Sequence, residues 1–265
     1  MPFLHLLVLA LVQGITEFLP ISSSAHLVLV PYLTGWADQG LVIDVAVHVG
    51  TLGAVLIYFW RDVLAVLVGL GRLATGRRTP GGRLALLLIV GTIPAVLAGF
   101  ALHRYAPTLF RSAEVIAWAT LVFGLLLWLA DRAALQIRRI EHLGWSDAII
   151  IGLAQCLAFI PGASRSGITM TAGRFLGMER AEAARFSMLL SIPTILGAGL
   201  LATLDLAEAG DVTLGLDAAI AAGLAFVSAL VAIALLMAWL RRAGFAPFVV
   251  YRIALAGLLF YLLYA

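Results

Sequence analysis

"QGITEFLPISSSAHL", residues 13–27, is an apolar segment with the wrong residues in it. Gln13 and Glu17 interrupt the hydrophobic run, Pro20 breaks it, and Ser22, Ser23, Ser24 and His26 follow before apolar residues resume. On a helix, residues four apart share a face, so Gln13 and Glu17 project together toward the break. Proline cannot continue a helix, so the chain must restart beyond it. The serines sit at that restart, where free N–H groups and hydroxyls make a site for an anion. A hydroxyl, an imidazole and a carboxylate this close together can supply nucleophile, base and orienting group. The plainer reading is a serine-capped helix and a glutamate reaching for headgroups. An ionisable group inside hydrocarbon costs about 2.5–3.5 kcal/mol on insertion scales, which favours the functional reading of Glu17.

The surroundings justify speaking of hydrocarbon. Of 265 residues, 63% are hydrophobic and 12% charged, which excludes an ordinary water-soluble domain. Apolar blocks at 42–60, 84–102, 114–131, 185–204, 218–240 and 248–264 are each about long enough to cross a core of roughly 30 Å at about 1.5 Å per residue. Two further apolar stretches, 3–35 and 146–177, are interrupted at Pro20 and at Pro161-Gly162, so each reads as a pair of half-length helices. The sequence thus predicts an all-α integral membrane protein with six transmembrane helices and two re-entrant helical hairpins.

All 17 basic residues are arginine, and their placement reads as topology rather than nucleic-acid binding. One set comprises Arg61, Arg72, Arg77, Arg78 and Arg83 in the loop 61–83, Arg132, Arg138 and Arg139 in the loop after 131, Arg174, Arg180 and Arg185 in the stretch 174–185, and Arg241, Arg242 and Arg252 flanking the last turn. Arg104 and Arg111 fall on the other side, with the arginine-free stretch 36–41 and the acidic loop of Asp205, Glu208, Asp211 and Asp217. The positive-inside rule puts the first set in the cytoplasm. The hairpin 3–35 then starts and ends outside, and 146–177 starts and ends inside. "QGITEFLP" at 13–20 and "QCLAFIP" at 155–161 share a glutamine, an aromatic residue and a proline, and each precedes a serine-containing turn. Residues 1–135 and 140–265 are therefore expected to form an inverted-topology repeat within one membrane domain, with the two breaks meeting near the bilayer midplane.

"PGASRSGIT", 161–169, supplies a cation in the second break. Arg165 lies between Ser164 and Ser166, and Gly162 and Gly167 allow close backbone approach. A guanidinium fork suits phosphate oxygens, and in a low-dielectric site it needs an anion to face; pairing with Glu17 is the structural alternative. Asp44, His48 and Thr51 lie at helical spacing near the outer part of the first span, where they can support the site or cap a helix. His5, His103 and His142 have no partner nameable from the sequence. Cys156, the sole cysteine, allows no intrachain disulfide and is expected to be a small buried side chain. The N-terminus has no basic region before its apolar run, so the first segment is expected to be retained.

These residues carry a resemblance. "QGITEFLPISSSAH" is similar to the (E/Q)xxxE motif and serine-histidine turn of bacterial undecaprenyl-diphosphate phosphatases, membrane enzymes linked to bacitracin resistance. "PGASRSG" is similar to their PGxSRSxxT motif, which ends here at Thr169. The resemblance covers essentially the whole chain. It implies hydrolysis of undecaprenyl diphosphate to undecaprenyl phosphate and inorganic phosphate, which recycles the lipid carrier of peptidoglycan synthesis. It further implies a multi-pass protein of the bacterial cytoplasmic (inner) membrane, a polyprenyl diphosphate substrate among membrane lipids, no nucleic-acid partner, and a divalent cation, magnesium or calcium. A homodimer is compatible with it. Glu17, Ser23, His26 and Arg165 are the expected catalytic residues, and Gln13, Ser22, Ser24, Ser164, Ser166 and Thr169 the expected substrate contacts. Position 13 is Gln, which leaves one carboxylate in the motif; hard divalent ions prefer charged oxygens, so no metal ligands are assigned.

Two schemes remain open: Ser23 attacks with His26 as base and Glu17 as orienter, or His26 attacks phosphorus directly. A secondary transporter or lipid flippase is the competing class, because inverted repeats with midplane breaks are common there. The type-2 phosphatidic-acid phosphatases expect SRxxxxxH, and this chain has Thr171 where their histidine falls.

Overall fold

The computed structural model describes residues 2–36, 40–105, 112–208 and 215–264, without the side chains of 28, 32, 33, 103 and 201–208. Residues 37–39 of the arginine-free stretch, Arg111 and Asp211, used above for topology, lie outside the described residues, as do the side chains of His103, Asp205 and Glu208.

Eleven α-helices follow in order among the described residues: α1 (Phe3–Thr16), α2 (Ser23–Thr34), α3 (Gly40–Tyr58), α4 (Trp60–Ala74), α5 (Pro80–Tyr105), α6 (Ala113–Ala133), α7 (Trp145–Cys156), α8 (Arg165–Phe175), α9 (Arg180–Glu208), α10 (Leu216–Leu240) and α11 (Ala246–Tyr264). Six of them, α3, α5, α6, α9, α10 and α11, are long and apolar enough to cross a membrane. They coincide with the six apolar blocks of the sequence. Only 28–50% of each span is buried within the protein, so the remaining apolar surface is suited to lipid. The other broken stretches become α1 and α2, of 14 and 12 residues, and α7 and α8, of 12 and 11. At about 1.5 Å per residue these reach only about 17–21 Å, too short to span alone.

Small residues let the helices approach closely. α10 packs against both α1 and α3, α6 against α11, and α5 against α7. A Cβ at Gly14 of α1 would stand 1.9 Å from Ser228 Oγ and 2.7 Å from the Ala225 carbonyl of α10, and one at Gly50 of α3 would stand 2.2 Å from the Ala222 carbonyl. With lipid as the solvent, such backbone contact is what replaces the hydrophobic effect in holding helices together. Ser228 adds a hydrogen bond to the Ala10 carbonyl at 3.2 Å.

One end of the bundle is charged. Arg138 pairs with Asp147, Arg139 with Glu179, Arg174 and Arg180 with Asp131, and Arg185 with Asp62. All five arginines belong to the set assigned above to the cytoplasm.

Two readings of that set need correction. The stretch 61–83 is not simply a loop: most of it is α4, whose Arg61, Asp62 and Arg72 share the helix with exposed Trp60, Leu64, Leu67 and Val68. Its glycines and arginines masked the helical pattern. Arg252 does not flank a turn but sits inside α11 with 0% exposure. Cys156 is half-buried rather than buried, and its thiol donates to the Gly152 carbonyl at 3.5 Å.

Candidate active site

The chain breaks twice in the same way. Ser22, preceding α2, has φ 74° and ψ 94°, and Ser164, preceding α8, has φ 71° and ψ 110°. Among the described residues these are the two non-glycine positions with positive φ. A side chain held there costs about 1–3 kcal/mol, so the surroundings must impose it. They are 142 positions apart, the spacing that also relates Gln13 to Gln155 and Ser24 to Ser166. In each break the flanking serines face one another, Ser22 Oγ to Ser24 Oγ at 3.2 Å and Ser164 Oγ to Ser166 Oγ at 3.2 Å.

The breaks are stitched together reciprocally. Ser166 Oγ donates to the Leu19 carbonyl at 3.0 Å, and the Gly162 N–H donates to Ser24 Oγ at 3.4 Å. Arg252 of α11 reaches between them. Its guanidinium donates to the carbonyls of Pro20 (3.3 Å), Ala163 (3.1 Å) and Gly162 (2.9 Å), and to Thr120 (3.0 Å) and Ala119 (3.3 Å) of α6. A helix break leaves carbonyls without helical partners, and one buried guanidinium satisfies those of both breaks at once.

Glu17 is the hub. Its carboxylate is 8% exposed. Oε1 accepts from Arg165 Nη2 at 3.1 Å; Oε2 accepts from Ser23 Oγ at 2.9 Å and from Gln13 Nε2 at 3.0 Å. Arg165 also donates to the Ser187 carbonyl at 3.4 Å and lies over the Phe18 ring at 5.9 Å. Glu17, Ser22, Ser23, Ser24, Asp44, His48, Ser164 and Arg165 line a cavity of about 350 Å³ whose apolar wall includes Leu41, Val45, Ile195 and Ala198. A larger groove of about 690 Å³ between α1 and α10 is lined by apolar side chains and Ser228, with no titratable group.

The expected residues separate into three groups. Glu17, Ser22, Ser23, Ser24, Ser164 and Arg165 converge on the cavity. Gln13, Ser166 and Thr169 stand behind it: Thr169 Oγ1 donates to the Arg165 carbonyl at 2.9 Å and meets Ser187 Oγ at 2.6 Å, which fixes the start of α8. His26 faces elsewhere. Its Nδ1 lies 2.6 Å from the Ser22 carbonyl, which can only accept, so Nδ1 carries the proton; Nε2 then accepts from the Tyr251 hydroxyl at 2.5 Å. Both ring nitrogens are committed, and the Ser23–His26–Glu17 relay is not assembled. Ser23 meets Glu17 directly instead. His5 stacks on Trp36, and His142 accepts from the Arg139 N–H, so neither approaches the cavity.

A scan against family models matches residues 6–258 to the family described as Bacitracin resistance protein BacA. The chain belongs to the BacA family. It is 55% identical to the undecaprenyl-diphosphatase of Ruegeria pomeroyi, with 100% of both chains covered. It is 53% identical to undecaprenyl-diphosphatase 1 of Rhodospirillum rubrum, over 100% of this chain and 96% of that one, and 50% identical to the undecaprenyl-diphosphatase of Alteromonas mediterranea, over 100% of both.

In this BacA-family chain the sequence reading missed two residues, Tyr251 and Arg252. Arg252 had a signal, since it falls within the block 248–264 that was itself read as a span, where an arginine marks a site by default. Tyr251 had none, because an aromatic residue in a span is ordinary. His48 and Asp44, named only as possible supports, both line the cavity.

Proposed function

We propose that this protein hydrolyses undecaprenyl diphosphate to undecaprenyl phosphate and inorganic phosphate. The observation that carries the reading is one carboxylate, Glu17, shared between a serine hydroxyl and a guanidinium in a cavity between two helix breaks. A diphosphate entering the cavity competes with Glu17 for Arg165, whose fork suits two phosphate oxygens. Glu17, released from that partner, becomes the stronger base and takes the proton of Ser23. Ser23 Oγ attacks the terminal phosphorus, and polyprenyl phosphate leaves. Arg165, the hydroxyls of Ser24 and Ser164, and the N-terminal ends of α2 and α8 stabilise the developing charge.

Topology completes the proposal. Residues 1–135 and 140–265 form an inverted repeat, with α1–α2 and α7–α8 as re-entrant hairpins in the bacterial cytoplasmic membrane. The cavity wall draws Leu41, Asp44, Val45 and His48 from the first half of α3 and Ile195 and Ala198 from the part of α9 beyond Pro193. Both segments lie away from the arginine-rich start of α9, which supports a site open to the outer side, where the carrier is left once its cargo is transferred.

A resident divalent cation is a poor fit. Among the described residues no three His, Cys, Asp or Glu side chains cluster, and Glu17 already accepts three donors. We propose that a magnesium or calcium ion arrives as the counter-ion of the diphosphate, and no step above depends on it. Phosphate release by purified protein from a long-chain polyprenyl diphosphate, with and without chelator, tests the function. A transporter or flippase would bind that lipid and release no phosphate.

A further inference from the structure

We propose that His48 is a catalytic residue: it is the base that activates water for the second half of the reaction, hydrolysis of a phosphoserine at Ser23. His48 belongs to α3, outside both breaks, and lines the same cavity. Its Nδ1 lies 2.7 Å from the Asp44 carbonyl one turn earlier. A carbonyl only accepts, so Nδ1 carries a proton, and in the neutral ring the lone pair is on Nε2. That lone pair stands 3.9 Å from Glu17 Oε2, beyond hydrogen-bond range, and the His48 side chain is 37% exposed. A water on the open side of the cavity can donate to that nitrogen. Glu17 Oε2 already accepts from Gln13 Nε2 and Ser23 Oγ, so a water at Nε2 lies beside the phosphorus that Ser23 would carry. The charged groups facing His48 are Glu17 from the first break, Arg165 behind Glu17 on α8, and Asp44 on its own helix.

This assignment rests on the reading of Ser23 as nucleophile, and the steps balance. In the first, the bond from Ser23 Oγ to phosphorus forms, the bond from phosphorus to the bridging oxygen breaks, and the serine proton passes to Glu17. In the second, water attacks the phosphoserine and His48 Nε2 takes one water proton. The phosphorus–Oγ bond breaks, and Glu17 returns its proton to Ser23. Inorganic phosphate departs, and His48 gives its proton to solvent. His26 cannot substitute, because Ser22 and Tyr251 occupy both its nitrogens.

The test is rapid-quench kinetics of the purified full-length protein with farnesyl diphosphate labelled in its terminal phosphate. Glutamine matches the size of histidine and hydrogen-bonds but takes no proton. His48→Gln should release farnesyl phosphate in one turnover at close to the wild-type rate while phosphate release slows about a hundredfold, and label should accumulate on Ser23. Unchanged phosphate release, or both products slowing together without label on the protein, would overturn the role of His48. Ser23→Ala separates the underlying reading: if it still turns over near the wild-type rate, the covalent scheme itself fails, whereas a dead Ser23→Ala beside a normal His48→Gln removes only the present inference.

Discussion

The two helix breaks have nearly the same backbone and opposite chemistry. Each ends a half-length helix, passes through a serine with φ near 70°, pairs that serine with another two residues on, and restarts a helix. At the spacing of 142 that relates them, Ser23 of the first break corresponds to Arg165 of the second, and Glu17 to Phe159. The backbone feature is the shared part, since it turns the first residue of the new helix into the space between the breaks. What each presents there differs, a hydroxyl with its carboxylate on one side and a guanidinium on the other. A single break would hold half a site.

Ser23→Ala removes the proposed attacking group and is expected to lower turnover at least about a thousandfold while phosphate-lipid binding persists. Phosphate release and a binding assay on the same preparation separate the two effects. A variant retaining a tenth of the activity would mean that the first break only binds phosphate.

Arg252→Met tests whether the breaks are held as one unit. It strips the guanidinium from the break carbonyls of Pro20 and Ala163 and leaves Gly162 only the Thr120 hydroxyl; a buried unpaired polar group costs about 1–3 kcal/mol, so stability in detergent should fall by about 2–6 kcal/mol, read as a lower thermal midpoint. An unchanged midpoint would show that the breaks hold their shape without the clamp.

Arg165→Lys keeps the charge of the second break and loses its fork. With about 1.5–3 kcal/mol for a charge-assisted hydrogen bond, turnover should drop about 10- to 100-fold. Near wild-type turnover would make Arg165 only the structural partner of Glu17.

The smallest expected difference lies between the two serines themselves. Ser164 Oγ accepts from the Gly167 N–H at 3.1 Å and so caps α8, whereas Ser22 makes no such cap. Ser164→Ala should cost about 1 kcal/mol, and Ser22→Ala less, in paired thermal unfolding curves. Equal costs would mean that the cap contributes nothing to the second break.

The six spans were legible because apolar length is a coarse signal that a bilayer enforces along the whole chain. Glu17, Ser23 and Arg165 were legible for a related reason: polar groups beside a proline in hydrocarbon have few other uses. The direction of His26 was not. Three residues after Ser23 it can share a face with it on a helix, but the phase of the restarting helix is set by the left-handed backbone at Ser22, which no periodicity encodes. Arg252 was misread for the opposite reason, that a count of arginines by sequence position treats one buried in a span like one in a loop. The convergence of α3 on the cavity, which brings in His48, depends on tertiary packing and left only an i, i+4 pair in the sequence.

The terminal phosphate is expected to pass through Ser23. Wild-type protein quenched during turnover with terminally labelled polyprenyl diphosphate should carry label that survives acid, is lost in base, and maps to Ser23 in the first break. An acid-labile label that disappears in His26→Ala would contradict it, and would give the attack to the imidazole that the structure holds between Ser22 and Tyr251.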